Sequence, residues 1–300
     1  MRLNDRFPRV SVIVPSLNQG LYLRQCVDSI LSQGYQNLEV LIVDGGSSDK
    51  SVSIIREYEK KISYWVSEPD NGQSDAINKG FKKSSGDLVA WLNADDYYLP
   101  GVFNHVVEAY CVDQNAPFYF GDGLRVDDNG KTISNFSPTK RLTFNRQALV
   151  MGLNYILQPS TFINRMSLEK VGYLDVGLHY GMDSDLWMRL STIGTPHAIS
   201  ATLSATREYA TTKTASGSFE RIEELRKIAE KHSGSKMTPG VLCYFLDTLY
   251  RFAQQHEDIF APSYLKDISK FWEKTAHLME QFNVGPDGFP REQNRKYKWR

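Results

Sequence analysis

VSVIVPSLN at residues 10–18, EVLIVDGGSSDKS at 39–51 and LVAWLNADD at 88–96 are the stretches on which the fold turns. Their apolar runs, VSVIV and VLIV above all, do not alternate with polar residues, so strands built from them must be covered on both faces. Between them, YLRQCVDSILS (22–32), SVSIIREYEKK (51–61) and SDAINKGFKKS (74–84) carry helical apolar spacing, and SYWVSE (63–68) reads as a further strand. Strands alternating with amphipathic helices predict a doubly wound α/β layer, a mostly parallel sheet with flanking helices. Ligands of such sheets gather beyond the carboxyl ends of the strands. Those ends are Pro15-Ser16-Leu17-Asn18, Asp44-Gly45-Gly46-Ser47, Glu68-Pro69-Asp70 and Asn93-Ala94-Asp95-Asp96, and three of the four carry carboxylates.

Further along, Gly101 to Asp113 is helix-like, and PFYFGDGLRVDDNGKTISNF (117–136) predicts antiparallel sheet turning at Asp128-Asn129-Gly130. STFIN (160–164) reads as strand and DLWMRLS (185–191) as helix, while 207–218, rich in Thr, Ser and Ala, reads as a loop. From Phe219 onward the runs FERIEELRKIAEKH, GVLCYFLDTLYRFAQQ and SYLKDISKFWEKTAHLMEQF are helical in period, with Pro239 and Pro262 near two of the starts.

The 300 residues include 35 basic and 35 acidic side chains, a balance that lacks the broad positive surface of a nucleic-acid binder. Cys26, Cys111 and Cys243 are far apart, which excludes a CxxC zinc site and a disulfide scaffold and fits a reducing compartment. No stretch approaches the roughly 20 apolar residues of a bilayer span. The expectation is a soluble cytoplasmic protein, at most peripheral on a membrane.

Among candidate chemical groups, adjacent Asp95 and Asp96 stand out, because two carboxylates at one strand end repel unless a cation sits beside them. Oxygen ligands without nearby Cys or His suit Mg²⁺ or Mn²⁺, completed by substrate phosphates; a helix N-cap is the plainer alternative. Asp44 followed by Gly45-Gly46-Ser47-Ser48-Asp49 suits either close approach of an anion to backbone N–H groups or a tight turn capped by Asp49. No GxGxxG follows the first two strands, which disfavours a dinucleotide. Asp183 and Asp185 precede an apolar helical run; two positions apart, they point in different directions, so one is free to face a crevice while the other caps or faces solvent.

Taken in order, VSVIVPSLN, LIVDGGSSDKS, EPDNGQSDAINKGF, SGDLVAWLNADDYYLPG, LQPSTFI, VGYLD, GMDSDLWMRL and REYATTKT resemble family 2 of the inverting glycosyltransferases, which have the GT-A fold. The resemblance runs from about Val10 to Thr214 and looks closest to bacterial enzymes that build surface polysaccharides such as O-antigen or capsule. It implies a GT-A domain over 8–215, with 8–130 binding the nucleotide-sugar and 131–215 the acceptor, followed by a helical region over 216–300. It also implies a nucleotide-sugar donor, UDP-linked by preference, a saccharide or lipid-linked saccharide acceptor, and a divalent metal. The family's nucleotide pocket falls on Pro15, Ser16, Asn18, Asp44, Asp75 and Asn78. Its metal-binding DxD motif falls on Asn93, Ala94 and Asp95, making Asp95 the principal ligand. Asp183 occupies the position of the catalytic base, and Arg207 and Lys213 lie in a loop expected to close over the diphosphate.

The sequence departs from the family pattern at three places. Asn93 replaces the first Asp of the DxD motif, Met182 replaces the Glu that usually precedes the base, and Tyr209 stands where many relatives carry a His. Two rival readings follow: a nucleotidyltransferase, disfavoured because PSLNQG supplies a single Gly for a phosphate loop, and a non-catalytic saccharide-binding descendant. At the C-terminus, REQNRKYKWR sets Arg291, Arg295, Lys296, Lys298 and Arg300 against Glu292, with Tyr297 and Trp299 interleaved. Such a tail suits either contact with an anionic membrane near a lipid-linked acceptor or a solvated terminus.

Overall fold

A computed structural model describes residues 7–136, 144–209, 212–213, 219–255, 264, 266–267 and 270. The basic tail at 291–300, most of the last helical run and parts of the 207–218 segment lie outside the described residues. The chain order is β1 (Val10–Ser16), α1 (Leu23–Leu31), β2 (Leu38–Asp44), α2 (Ser51–Tyr58), β3 (Tyr64–Ser67), α3 (Gln73–Lys83), β4 (Leu88–Trp91), β5 (Tyr97–Tyr98) and α4 (Val102–Val112). There follow β6 (Phe118–Val126), β7 (Thr132–Phe136), α5 (Arg146–Val150), β8 (Thr161–Asn164), α6 (Arg165–Val171), α7 (Met182–Leu190), β9 (His197–Arg207), α8 (Phe219–Ser233) and α9 (Pro239–Gln255).

One nine-stranded sheet runs β3-β2-β1-β4-β8-β6-β9-β5, with β7 paired to β6. Its first four strands are parallel, as the apolar runs predict. Beyond β4 the sheet is mixed: β8 is antiparallel to both β4 and β6, β9 is parallel to β6, and β5 is antiparallel to β9. The β6–β7 hairpin turns where Asp128-Asn129-Gly130 places it, with Gly130 at φ 83°.

Both faces of the sheet are covered. Val10, Val12 and Val14 of β1 pack with Leu23, Val27 and Ile30 of α1 and Phe103 of α4. Ile13 points the other way, into a core with Ile77 and Phe81 of α3 and Trp187 of α7. Gly80 lets α3 lie this close, because a Cβ there would sit 2.4 Å from Ile13 Cγ2. In that core the fully buried Trp91 and Trp187 rings stack 5.6 Å apart, joining the end of β4 to α7. Truncating either ring would cost about 3–5 kcal/mol. Ile228 of α8 and Cys243 of α9 enter the same core, so the described part of the C-terminal helical region is built onto the sheet domain. Among the described residues, no helix is long and apolar enough to cross a membrane.

Candidate active site

The loops after β1 and β2 are laced together. Gly45 N–H donates to the Ser16 carbonyl, Asn18 N–H to Ser47 Oγ, and Ser48 N–H to Asn18 Oδ1 at 2.9 Å. Asn18 is exposed and lies at φ 53°, a left-handed conformation that Asn tolerates better than most residues. Pro15 and Ser16 are buried at the base of this loop, and Ser16 Oγ has no hydrogen-bond partner among the described residues.

Asp44 is fully buried and already occupied. Its Oδ2 accepts from Gly46 N–H, Ser47 N–H and Ser67 Oγ, and its Oδ1 from Ser47 Oγ at 2.5 Å. The carboxylate thus holds the Gly45–Ser47 turn in this structure. Asp49 does what a cap does, accepting Ser51 N–H, and also ties down Gly20 N–H.

Asp75 and Asn78, the other two expected nucleotide contacts, lie on α3. Asn78 is buried and exchanges hydrogen bonds with the backbone N–H and carbonyl of Leu174, which pins α3 to the segment before α7. Asp75 accepts Asn71 N–H and pairs with Lys79 at 3.6 Å on the outer side of the same helix start. Both ends of the Asn78 amide are thus engaged by Leu174.

The adjacent carboxylates after β4 divide their labour. Asp96, 3 % exposed, accepts the backbone N–H of Arg207 at 2.9 Å and so fastens β9 to the β4 loop. Burial and the neighbouring Asp95 charge push it up to about 8. Asp95 instead receives the Tyr209 hydroxyl on Oδ2 at 2.8 Å. Burial raises its pKa too, opposed by that hydrogen bond and by Arg207. Asn93 Oδ1 accepts from Gln73 Nε2 at 2.7 Å, while its Nδ2 faces Asp96 and Gln158 at 3.3 Å each. Ala94 is buried between them.

The placement of Arg207 in a loop is corrected: it is the last residue of β9 and 6 % exposed. Its guanidinium lies 4.5 Å from the Tyr22 ring centre and 5.2 Å from that of Tyr97. The same group donates to Gln25 Oε1 and to the carbonyls of Asp95 and Asp128. Such a buried, stacked arginine braces the carboxylate loop from behind.

Lys213 has the other position. Its Nζ donates to Gln73 Oε1 at 2.9 Å, and burial lowers its pKa while Glu224 and Asp183 oppose that shift. Gln73, the first residue of α3, therefore bridges Asn93 at the β4 end to Lys213. Next to it, Ser74 Oγ contacts the Leu178 carbonyl and Met182 Sδ, at the start of α7.

Asp183 and Asp185 diverge as their spacing requires. Asp185 is fully buried in ion pairs with Arg189, Lys231 and His232, each at 2.8 Å, which hold its pKa well below the usual carboxylate range. Asp183 is half-buried; its Oδ1 accepts Ser184 N–H at 2.7 Å, and Oδ2 has no hydrogen-bond partner among the described residues. Burial raises its pKa, with Ser184 and Lys213 opposing, which moves it toward the range where a carboxylate takes a proton near neutral pH. Sequence reasoning missed Gln73, although it lies within the EPDNGQSDAINKGF motif, and Glu224, which has no motif and emerges only from the folded arrangement.

The family model for glycosyl transferase family 2 matches residues 11–172. A glycosyltransferase of Rickettsia typhi is 30% identical over 288 residues, covering 93% of this chain and 84% of the relative. One from Mycobacterium tuberculosis is 28% identical over 198 residues, covering 65% and 74%. Among solved structures, Staphylococcus aureus TarS 1-349 in complex with UDP-GlcNAc matches with a TM-score of 0.63 at 16% identity, covering 91% of this chain and 81% of that one. The mannosyltransferase PcManGT of Pyrobaculum calidifontis, in complex with GDP-Man and Mn²⁺, gives 0.56 at 17% identity, covering 92% and 76%. The fold is thus that of the GT-A glycosyltransferases, and the chain belongs to glycosyltransferase family 2.

Proposed function

We propose that the protein transfers a sugar, with inversion, from a nucleotide-sugar to a saccharide or lipid-linked saccharide acceptor in surface-polysaccharide assembly, and that UDP carries the donor sugar. The observation that carries this reading is the bridge Asn93–Gln73–Lys213, which links the Asp95 loop to a cation electrostatically coupled to Asp183. UDP is favoured by the TarS complex with UDP-GlcNAc.

In this reading Asp183 accepts the proton of the attacking hydroxyl, a contribution of typically 10²–10⁴ in rate. Lys213 and the N–H groups of the β1 and β2 loops hold the diphosphate, and Asp44 keeps the β2 loop in the shape that receives the nucleoside. Asp95 fits a divalent cation, because a half-buried carboxylate with a raised pKa beside a second carboxylate gains from a positive charge. Mg²⁺ or Mn²⁺ needs only one or two protein carboxylates when phosphates complete its shell. Asp95 would be the anionic ligand, with Asn93 and Asp96 turned to structural partners. Such an ion, when bound, stabilises the charge of the departing diphosphate. The basic tail at 291–300 is proposed to keep the enzyme beside a membrane-borne acceptor.

The test is a thermal-shift screen of UDP-, GDP- and dTDP-sugars with and without Mn²⁺, followed by Asp183→Asn. A UDP-sugar should raise the melting temperature most, and more with Mn²⁺. Asp183→Asn should lose turnover by about 10²-fold or more while UDP affinity stays within about twofold. Wild-type turnover by that variant would contradict the base assignment.

A further inference from the structure

Helix α7 carries Asp183 but does not cap itself: its N-cap is Gly181, and no side chain of the helix makes the capping hydrogen bond. The missing acceptor comes from α8. Glu224 Oε1 accepts the N–H groups of Tyr180 and Gly181, both at 2.6 Å, and Oε2 accepts His179 N–H at 2.7 Å. One carboxylate thus gathers three successive backbone donors at the positive end of α7, where both the orphan N–H groups and the helix dipole favour a negative charge.

The contact is continued along one face of α8. Ile228 lies so near Gly181 that a Cβ there would meet its Cδ1 at 2.5 Å. One turn further, Lys231 and His232 both reach Asp185 Oδ1 at 2.8 Å. Positions 224, 228, 231 and 232 share a helix face, so α8 grips the first turn of α7 on either side of Asp183. Glu224 also lies in the field of Lys213, which faces Asp183. Glu224, in the second turn of α8, reaches Gly181 N–H across 43 residues of sequence.

We propose that Glu224 is a positioning residue for sugar transfer: by clasping the His179–Gly181 turn from which α7 starts, it sets where Asp183 stands on the acceptor side of the cleft. The proposal rests on the reading of Asp183 as the base. Loss of the clasp frees the turn and lets Asp183 drift, and a displacement of about 1 Å is enough to cost a factor on the order of 10² in rate. Because Glu224 touches neither the β1 and β2 loops nor Asp95 in this structure, and acts on Lys213 through its field alone, its loss should change nucleotide affinity far less than turnover.

The experiment compares wild type, Glu224→Ala, Glu224→Gln, Asp183→Asn and the Glu224→Ala/Asp183→Asn double variant. The substrate is the nucleotide-sugar with the highest turnover in the donor screen, and its nucleoside diphosphate serves as the binding probe. Expected are a kcat for Glu224→Ala about 10–100-fold below wild type with probe affinity unchanged within about twofold, and a smaller loss for Glu224→Gln, whose amide oxygen still accepts. The double variant should be no slower than Asp183→Asn alone, since the two act through one group. If Glu224→Ala does not fold, Glu224→Gln carries the test, with kcat at least about threefold down at unchanged probe affinity. A wild-type kcat for the Glu224 variants beside an inactive Asp183→Asn overturns this proposal alone, as does parallel loss of kcat and probe affinity. Wild-type turnover by Asp183→Asn overturns the base assignment and this proposal with it.

Discussion

The hydroxyl of Tyr209 donates a 2.8 Å hydrogen bond to Asp95 Oδ2, so the carboxylate proposed to hold a cation is already held by a phenol. The Tyr209 ring lies 5.5 Å from Tyr22, which in turn stacks on the buried guanidinium of Arg207. Burial and the Asp95 charge raise the Tyr209 pKa, so this hydroxyl stays a neutral donor across the physiological range. At the proposed cation site this donor and a bound ion would compete for the same oxygen.

Tyr209→Phe should therefore lower the Mn²⁺ concentration needed for half-maximal activity by about threefold to tenfold, the equivalent of one hydrogen bond of about 1 kcal/mol removed from the unbound state. Asp95→Ala should abolish the Mn²⁺ dependence of UDP binding. Titrations of activity and of UDP affinity with Mn²⁺ check both. A higher Mn²⁺ requirement in Tyr209→Phe would mean that the phenol helps the ion instead of competing with it.

Asp185 is a stability residue. It is fully buried among Arg189, Lys231 and His232, and removing one partner of a buried ionic cluster costs about 3–5 kcal/mol. Asp185→Asn should lower the melting temperature at pH 7 by roughly 5–10 °C. The folded-state pKa is depressed, so the stabilisation is present above the unfolded carboxylate value of about 4 and is lost as pH falls below it. The gap between wild type and variant should be present at pH 7 and narrow below about pH 4. Thermal unfolding at pH 7 and pH 3 decides this; a gap that widens in acid would contradict it.

Asp44→Ala should weaken binding of uridine as well as UDP, since it orphans the N–H groups of Gly46 and Ser47 and the hydroxyls of Ser47 and Ser67 and so unmakes the β2 loop. Calorimetry with uridine, UDP and pyrophosphate separates the cases. Unchanged uridine affinity would remove Asp44 from the nucleoside site.

The parallel half of the sheet was legible because β1, β2 and β4 are apolar on both faces, a pattern that survives without tertiary context. The hairpin was legible because Asp128-Asn129-Gly130 encodes its own turn. By contrast, β9 reads HAISATLSATR, small and hydroxyl-bearing residues whose strand character comes from pairing with β6 and β5. Missing that strand left Arg207 in a loop, whereas it ends β9 with its backbone N–H on Asp96. The sequence marked Asp95 and Asp96 as a pair but not their division, which depends on where β9 ends. Glu224 is one acid among many in a charged helix, and its role depends on a contact with Gly181 that no local pattern announces.

The most direct test of the central claim, direct displacement of a nucleoside diphosphate assisted by Asp183, is time-resolved proton NMR of the first sugar released from a UDP-α-linked donor. The account predicts that the β-anomer appears first, to acceptor or to water, ahead of mutarotation, and that Asp183→Asn releases about 10²-fold less. First appearance of the α-anomer, or wild-type release by Asp183→Asn, would contradict it.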